Sequence, residues 1–126
     1  MGTEMSTGLK ATFLVHFVVA AVFGLVFLLI PHFFGSMVNW PIKDEAAYRL
    51  IGAAMLGYGA SSWFAYRQTE WESVKIVVVA EIVWTTLGAL VMLWGLLYAN
   101  LPSFGWVNAI LLAAFAVVFT IFYRRG

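Results

Sequence analysis

The sequence predicts an all-α integral membrane protein of four transmembrane helices, and three observations predict it. Of 126 residues, 63% are hydrophobic and only 10% are charged, against roughly 45–50% and about 25% in an ordinary soluble domain. The mean hydropathy is +0.94. Four apolar runs approach or exceed the roughly 20 residues that a helix needs to cross a 30 Å hydrocarbon core.

The first run, about residues 11–30, follows Lys10 and stops at Pro31. Its charge order is that of a signal peptide. Its length exceeds an h-region, however, and it lacks a clean small-x-small cleavage site, so it reads as a retained helix. The second, about 45–66, opens after Asp44 as an N-cap and closes at Arg67. The third, about 73–98, ends before Asn100 and Pro102, and the fourth, about 104–123, ends at Arg124 and Arg125. Short connectors make neighbours antiparallel, and residues 1–126 leave no room for a second domain. The Pro31–Lys43 connector carries Phe33, Phe34, Met37, Val38 and Trp40. It is too apolar for a solvated loop and is expected to lie along the surface as a short interfacial helix or turn.

Basic residues set the orientation. Lys10, Arg67, Lys75, Arg124 and Arg125 fall on the side of the termini and second loop, while Lys43 and Arg49 fall opposite. Both termini are therefore expected in the cytoplasm of a multi-pass plasma or inner membrane protein. Aromatic belts agree: Trp63, Tyr66, Trp71 and Tyr123 at one interface; Trp40, Tyr48, Trp94, Tyr98 and Trp106 at the other. Trp84 falls mid-membrane, where its N–H needs a partner. Arg49 lies within snorkelling reach of the surface, with Asp44, Glu45 or a lipid phosphate as partner, and His32 is expected to be exposed.

Small residues repeat every four positions in the second helix at Ala53, Gly57, Ser61 and Ala65, and recur in the fourth at Ala109, Ala113, Ala116 and Thr120. Such stripes let helices approach closely in lipid. They are expected to pack within the chain first and between copies second, and Gly57→Leu is expected to disrupt the packing.

An ionisable group in the membrane costs about 2.5–3.5 kcal/mol on insertion scales, so each one calls for a partner. Glu81 lies six residues past Lys75, and His16 six past Lys10 on a parallel helix. Both sit about 9 Å deep at the helical rise and are expected to meet directly or through one water. At that level Tyr58, Ser61, Ser62, Thr85 and Thr120 complete a candidate polar pocket. It suits helix registration, proton uptake, or binding of a cationic or hydroxyl-bearing ligand.

No cofactor or metal is implied. Cysteine is absent, which excludes disulfides and thiolate chemistry. His16 and His32 are about 24 Å apart along one helix direction, too far to share one haem iron. No nucleophile elbow or phosphate loop occurs, and a net charge of +1 gives no reason to expect nucleic acid. The opening Met1-Gly2-Thr3-Glu4-Met5-Ser6 matches a short myristoylation pattern, which a chain already spanning the membrane does not need.

Phe34-Gly35, Arg49-Leu50-Ile51-Gly52-Ala53-Ala54, Trp63 and Gly105-Trp106 resemble the small four-helix prokaryotic membrane proteins of the DoxX-like group. The resemblance covers Pro31 to Tyr123 and implies the four-helix topology. It assigns no activity, and it does not place Glu81, whose role it leaves open. Three functions follow as expectations. The first is a non-enzymatic accessory or scaffold subunit binding lipid or partner membrane proteins, alone, as a homo-oligomer or in a larger complex. The second is a small homo-oligomeric transporter or channel with Glu81 and His16 as coupling site. The third is an enzyme on a lipophilic substrate, with Glu81 as base.

Overall fold

The computed structural model describes residues 4–126; most of the myristoylation pattern's fixed residues lie outside them. Among these residues the fold is all-α, with five helices: α1 (Thr7–Leu29), α2 (Pro31–Met37), α3 (Glu45–Tyr66), α4 (Trp71–Tyr98) and α5 (Gly105–Arg125). Helix α1 starts a turn earlier than the apolar run, because the Ser6 hydroxyl accepts the Leu9 N–H at 3.1 Å and caps it. Asp44 caps α3 in the same way through the Ala47 N–H. The apolar first connector is indeed partly helical: α2 begins on Pro31, whose missing N–H is no loss at N1.

Among the described residues three helices, α1, α4 and α5, are long and apolar enough to cross a membrane. The fourth run predicted from the sequence, α3, matches them in length but not in composition. Glu45, Arg49, Ser61, Ser62 and three glycines dilute it.

The long helices form two tight antiparallel pairs, α1 with α3 and α4 with α5, and the pairs approach each other in few places. Glycine makes the first pair tight. A methyl group on Gly52 would stand 2.6 Å from the Leu28 nitrogen and 2.7 Å from the Gly24 carbonyl oxygen. Here the two backbones are in contact, as small residues permit in apolar surroundings. Both termini and the α3–α4 turn share one end, called here the terminal end. There the Met5 N–H donates to the Thr69 carbonyl at 2.8 Å, and Trp71 packs against Tyr123. The core is concentrated in this half, on Leu9, Phe13, Val74, Val78 and Phe119. Outward faces stay apolar: Val15, Val18, Val22, Leu25 and Leu29 form an exposed ridge along α1, the mark of a helix that does not face water.

The predicted stripes do not make these contacts. On α3, Ala53 and Gly57 are exposed, Ser61 is half-buried and only Ala65 is buried; nothing lies within 4 Å of a methyl group built on Gly57. The reason is geometric. Four residues overshoot a 3.6-residue turn by about 40°, so a strict four-residue stripe winds from one face to another. The packed positions are Gly52, Gly59, Ser62 and Ala65. On α5 the stripe divides: Ala109 is buried, Ala116 and Thr120 are half-buried and Ala113 is exposed. The large rings of Phe115 and Phe119 occupy the buried face and reach across the wider gap between pairs.

Candidate functional site

Each long helix brings one face to the interior, and polar groups meet where three of those faces converge. On α1 the buried series Leu9, Phe13, His16, Ala20, Gly24 places His16 inside; on α4 the series Val74, Val78, Glu81, Thr85, Ala89 places Glu81. His16 Nε2 lies 3.0 Å from Glu81 Oε2, with the two side chains 3% and 0% exposed. His16 Nδ1 lies 2.8 Å from the Ser62 hydroxyl. The rings of Phe115 and Phe119 stand edge-on to the imidazole at 4.8 and 5.8 Å. The Glu81 contact is at ion-pair distance but out of line for a hydrogen bond, and both carboxylate oxygens lack an aligned donor among the described residues. The imidazole and the carboxylate thus lie against each other without a directed hydrogen bond. In the tautomer that carries its proton on Nε2, facing the carboxylate, Nδ1 accepts from Ser62 O–H.

The remaining predicted members divide. Thr85 is buried beside Glu81 but donates to the Glu81 backbone carbonyl at 2.6 Å, not to the carboxylate. Ser61 donates to the Tyr58 carbonyl and Thr120 to the Ala116 carbonyl, so both hydroxyls are spent on their own helices. Tyr58 stacks on Trp84, centroids 5.3 Å apart and planes at 15°. Trp84 Nε1 has no partner among the described residues, contrary to the sequence expectation. The polar groups that the structure brings together are therefore Ser62, His16 and Glu81.

Serine, imidazole and carboxylate in a row invite comparison with an acyl-transfer triad. There the serine uses Nε2 and the acid uses Nδ1; here the two ring nitrogens are exchanged. Ser62 is also fully buried in mid-helix, out of a substrate's reach.

Above the cluster, away from the termini, the two helix pairs enclose a chamber of about 490 Å³. From His16 to Phe27 along α1 it extends about 16 Å at the helical rise. Its walls are aliphatic, aromatic and thioether, including Phe23, Met55, Trp84, Met92 and Leu112, with His16 at the floor and Asn108 near the far end. A smaller cavity of about 180 Å³ shares Phe27, Ile51, Met92 and Asn108 with it and continues beneath α2 to Trp40 and Tyr48. Sequence reasoning missed Asn108, although an amide inside an apolar run is the signal that flagged the others.

The far end is closed by local pairs. Arg49 donates through Nε to Glu45 at 2.9 Å, and its guanidinium also reaches the Leu28 carbonyl, tying α3 to the end of α1. Asp44, the other expected partner, is engaged as the helix cap. His32, exposed as expected, stands 3.3 Å from Glu45. Trp40 Nε1 donates to the Tyr48 hydroxyl at 2.9 Å, which joins the first connector to α3. Among the described residues, no three His, Asp or Glu side chains gather as metal ligands.

No protein-family model matches the chain, and no curated protein or solved structure does either. The likeness to the DoxX-like group thus stands on its short motifs alone.

Proposed function

We propose that the chain is an integral membrane protein whose four long helices form a transmembrane bundle, both termini cytoplasmic. In this reading it acts without catalysis, as an accessory or scaffold subunit that holds lipid or a partner membrane protein in a prokaryotic plasma or inner membrane. The carrying observation is the contrast between chamber and cluster. The chamber is apolar and of ligand size (sites of about 300–1,000 Å³ are usual). The groups that could do chemistry at its floor are buried and engaged with one another. Removing the protein gently from native membranes and weighing it intact tests the reading. The expected result is a mass increment of lipid, or of a partner subunit, that survives detergent exchange. A bare monomer under several mild detergents would contradict it.

One observation favours a second reading, a small transporter or channel coupled through Glu81 and His16. His16 faces the chamber with its ring and touches Glu81 with Nε2, so it joins a ligand space to a carboxylate. That reading predicts proton flux into dye-loaded liposomes carrying the protein, lost in Glu81→Gln. The accessory reading predicts no flux in either.

A further inference from the structure

The chamber is not walled equally on all sides. Its α1 and α5 members, such as Val19, Phe23 and Leu112, are half-buried, whereas Ile51, Leu87 and Val91 on α3 and α4 are 45%, 58% and 64% exposed. These three form an exposed apolar rim of the chamber on α3 and α4, at one of the two seams between the helix pairs. Lower down, the same seam is bridged by Tyr58 stacked on Trp84, one turn beyond Glu81. On the other side of that stack, towards the termini, the α3–α4 seam is only a surface groove lined by Gly57, Ser61, Val77 and Ala80.

We infer that the α3–α4 seam beyond the Tyr58–Trp84 stack is a lateral portal, and that the chamber behind it seats one acyl chain of a bilayer lipid. The inference rests on the membrane-embedded, lipid-holding reading given above and names its ligand, its site and its way in. Four observations select this occupant. The rim residues belong to the helix surface that meets hydrocarbon once the helices span a bilayer, so an entering chain never leaves apolar surroundings. Water is a poor occupant, because it needs two to four polar partners and the lining residues with polar groups are few: His16 and Asn108 at opposite ends and the Trp84 indole beside the first. A partner helix is too thick, being about 10–12 Å across with its side chains. Finally, Met55 and Met92 line the space, and their flexible thioethers adapt to a chain of variable shape. Tyr58 and Trp84 form the sill that keeps the chain off Glu81.

The test uses the full-length protein in phosphatidylcholine vesicles in which a fraction of the lipid carries a mid-chain diazirine. After irradiation, adducts are mapped by peptide mass spectrometry. The expected adducts fall on interior-facing residues such as Met55, Met92 and Leu112 as well as on outward ones such as Val18 and Leu50. Met55→Trp, which fills the chamber, should cut the interior adducts several-fold and leave the outward ones unchanged. Adducts confined to outward residues would overturn the inference, as would interior adducts undiminished in a folded Met55→Trp protein. Should that variant fail to fold, the wild-type map decides alone. Outward adducts only, with lipid still retained in the intact mass, would sink the portal and leave the lipid-holding reading; loss of both would sink both.

Discussion

Replacing His16 with alanine should destabilise the protein by about 3–5 kcal/mol, the cost of breaking a buried acid–base pair by removing one partner. Glu81 is fully buried and, among the described residues, its carboxylate has no aligned hydrogen-bond donor and meets the imidazole at 3.0 Å as its one ion-pair contact. Glu81→Ala should cost less than His16→Ala, because a neutral imidazole keeps its bond to Ser62. The double substitution His16→Leu with Glu81→Leu should recover most of the loss, since an apolar pair of similar volume incurs no desolvation penalty. Ser62→Ala should cost only about 1 kcal/mol, that of a single hydrogen bond. Thermal unfolding in one detergent, followed by circular dichroism, ranks all four. If His16→Ala melts with the wild type, the pair does not stabilise the fold.

A second large effect is expected at Gly52. Even a methyl group there would press on the Leu28 nitrogen and the Gly24 carbonyl oxygen, and backbone atoms inside a helix cannot swing aside as a side chain can. Gly52→Val should therefore force α1 and α3 apart and cost about 3 kcal/mol or more, the upper range for overpacking. It should also loosen the nearby reach of Arg49 to the Leu28 carbonyl. Gly57→Leu, by contrast, should melt near the wild type, because its side chain enters open space. Equal melting of the two variants would show that the α1–α3 contact is not the tight one. This ranking reverses the sequence expectation, which placed the sensitive glycine at 57.

How much was legible in the sequence depends on which physical quantity each feature needs. Helix positions follow from apolar run length and caps, so Asp44 and Pro31 mark boundaries that the helices respect, whereas the Ser6 cap, which lies outside the apolar run, starts α1 a turn earlier than the run does. The meeting of His16 and Glu81 was legible because it depends on depth, and depth is counted along the chain from Lys10 and Lys75. Facing is harder, since 100° per residue turns a one-position error into a different neighbour. The polar groups at the right depth therefore included Ser61 and Thr120, which face away, alongside Ser62, which bonds the imidazole. The chamber was not legible at all. It arises from unequal spacing, tight where Gly24 meets Gly52 and wide where Phe115 and Trp84 stand between pairs, and a single sequence does not print distances between helices.

The account depends most on whether α3 crosses the membrane with the others, since its composition sets it apart from α1, α4 and α5. The two possibilities differ in parity: four crossings put both termini on one side, three put them on opposite sides. Because the chain has no cysteine, single substitutions supply clean markers. Glu4→Cys and Arg125→Cys report the termini; Lys43→Cys and Ser103→Cys report the far end. Labelling with a membrane-impermeant maleimide in intact cells and again after lysis reads the side of each. The account predicts that Lys43→Cys and Ser103→Cys label in intact cells, whereas Glu4→Cys and Arg125→Cys label only after lysis. Termini that label from opposite sides would contradict it, and with it the four-helix enclosure of the chamber.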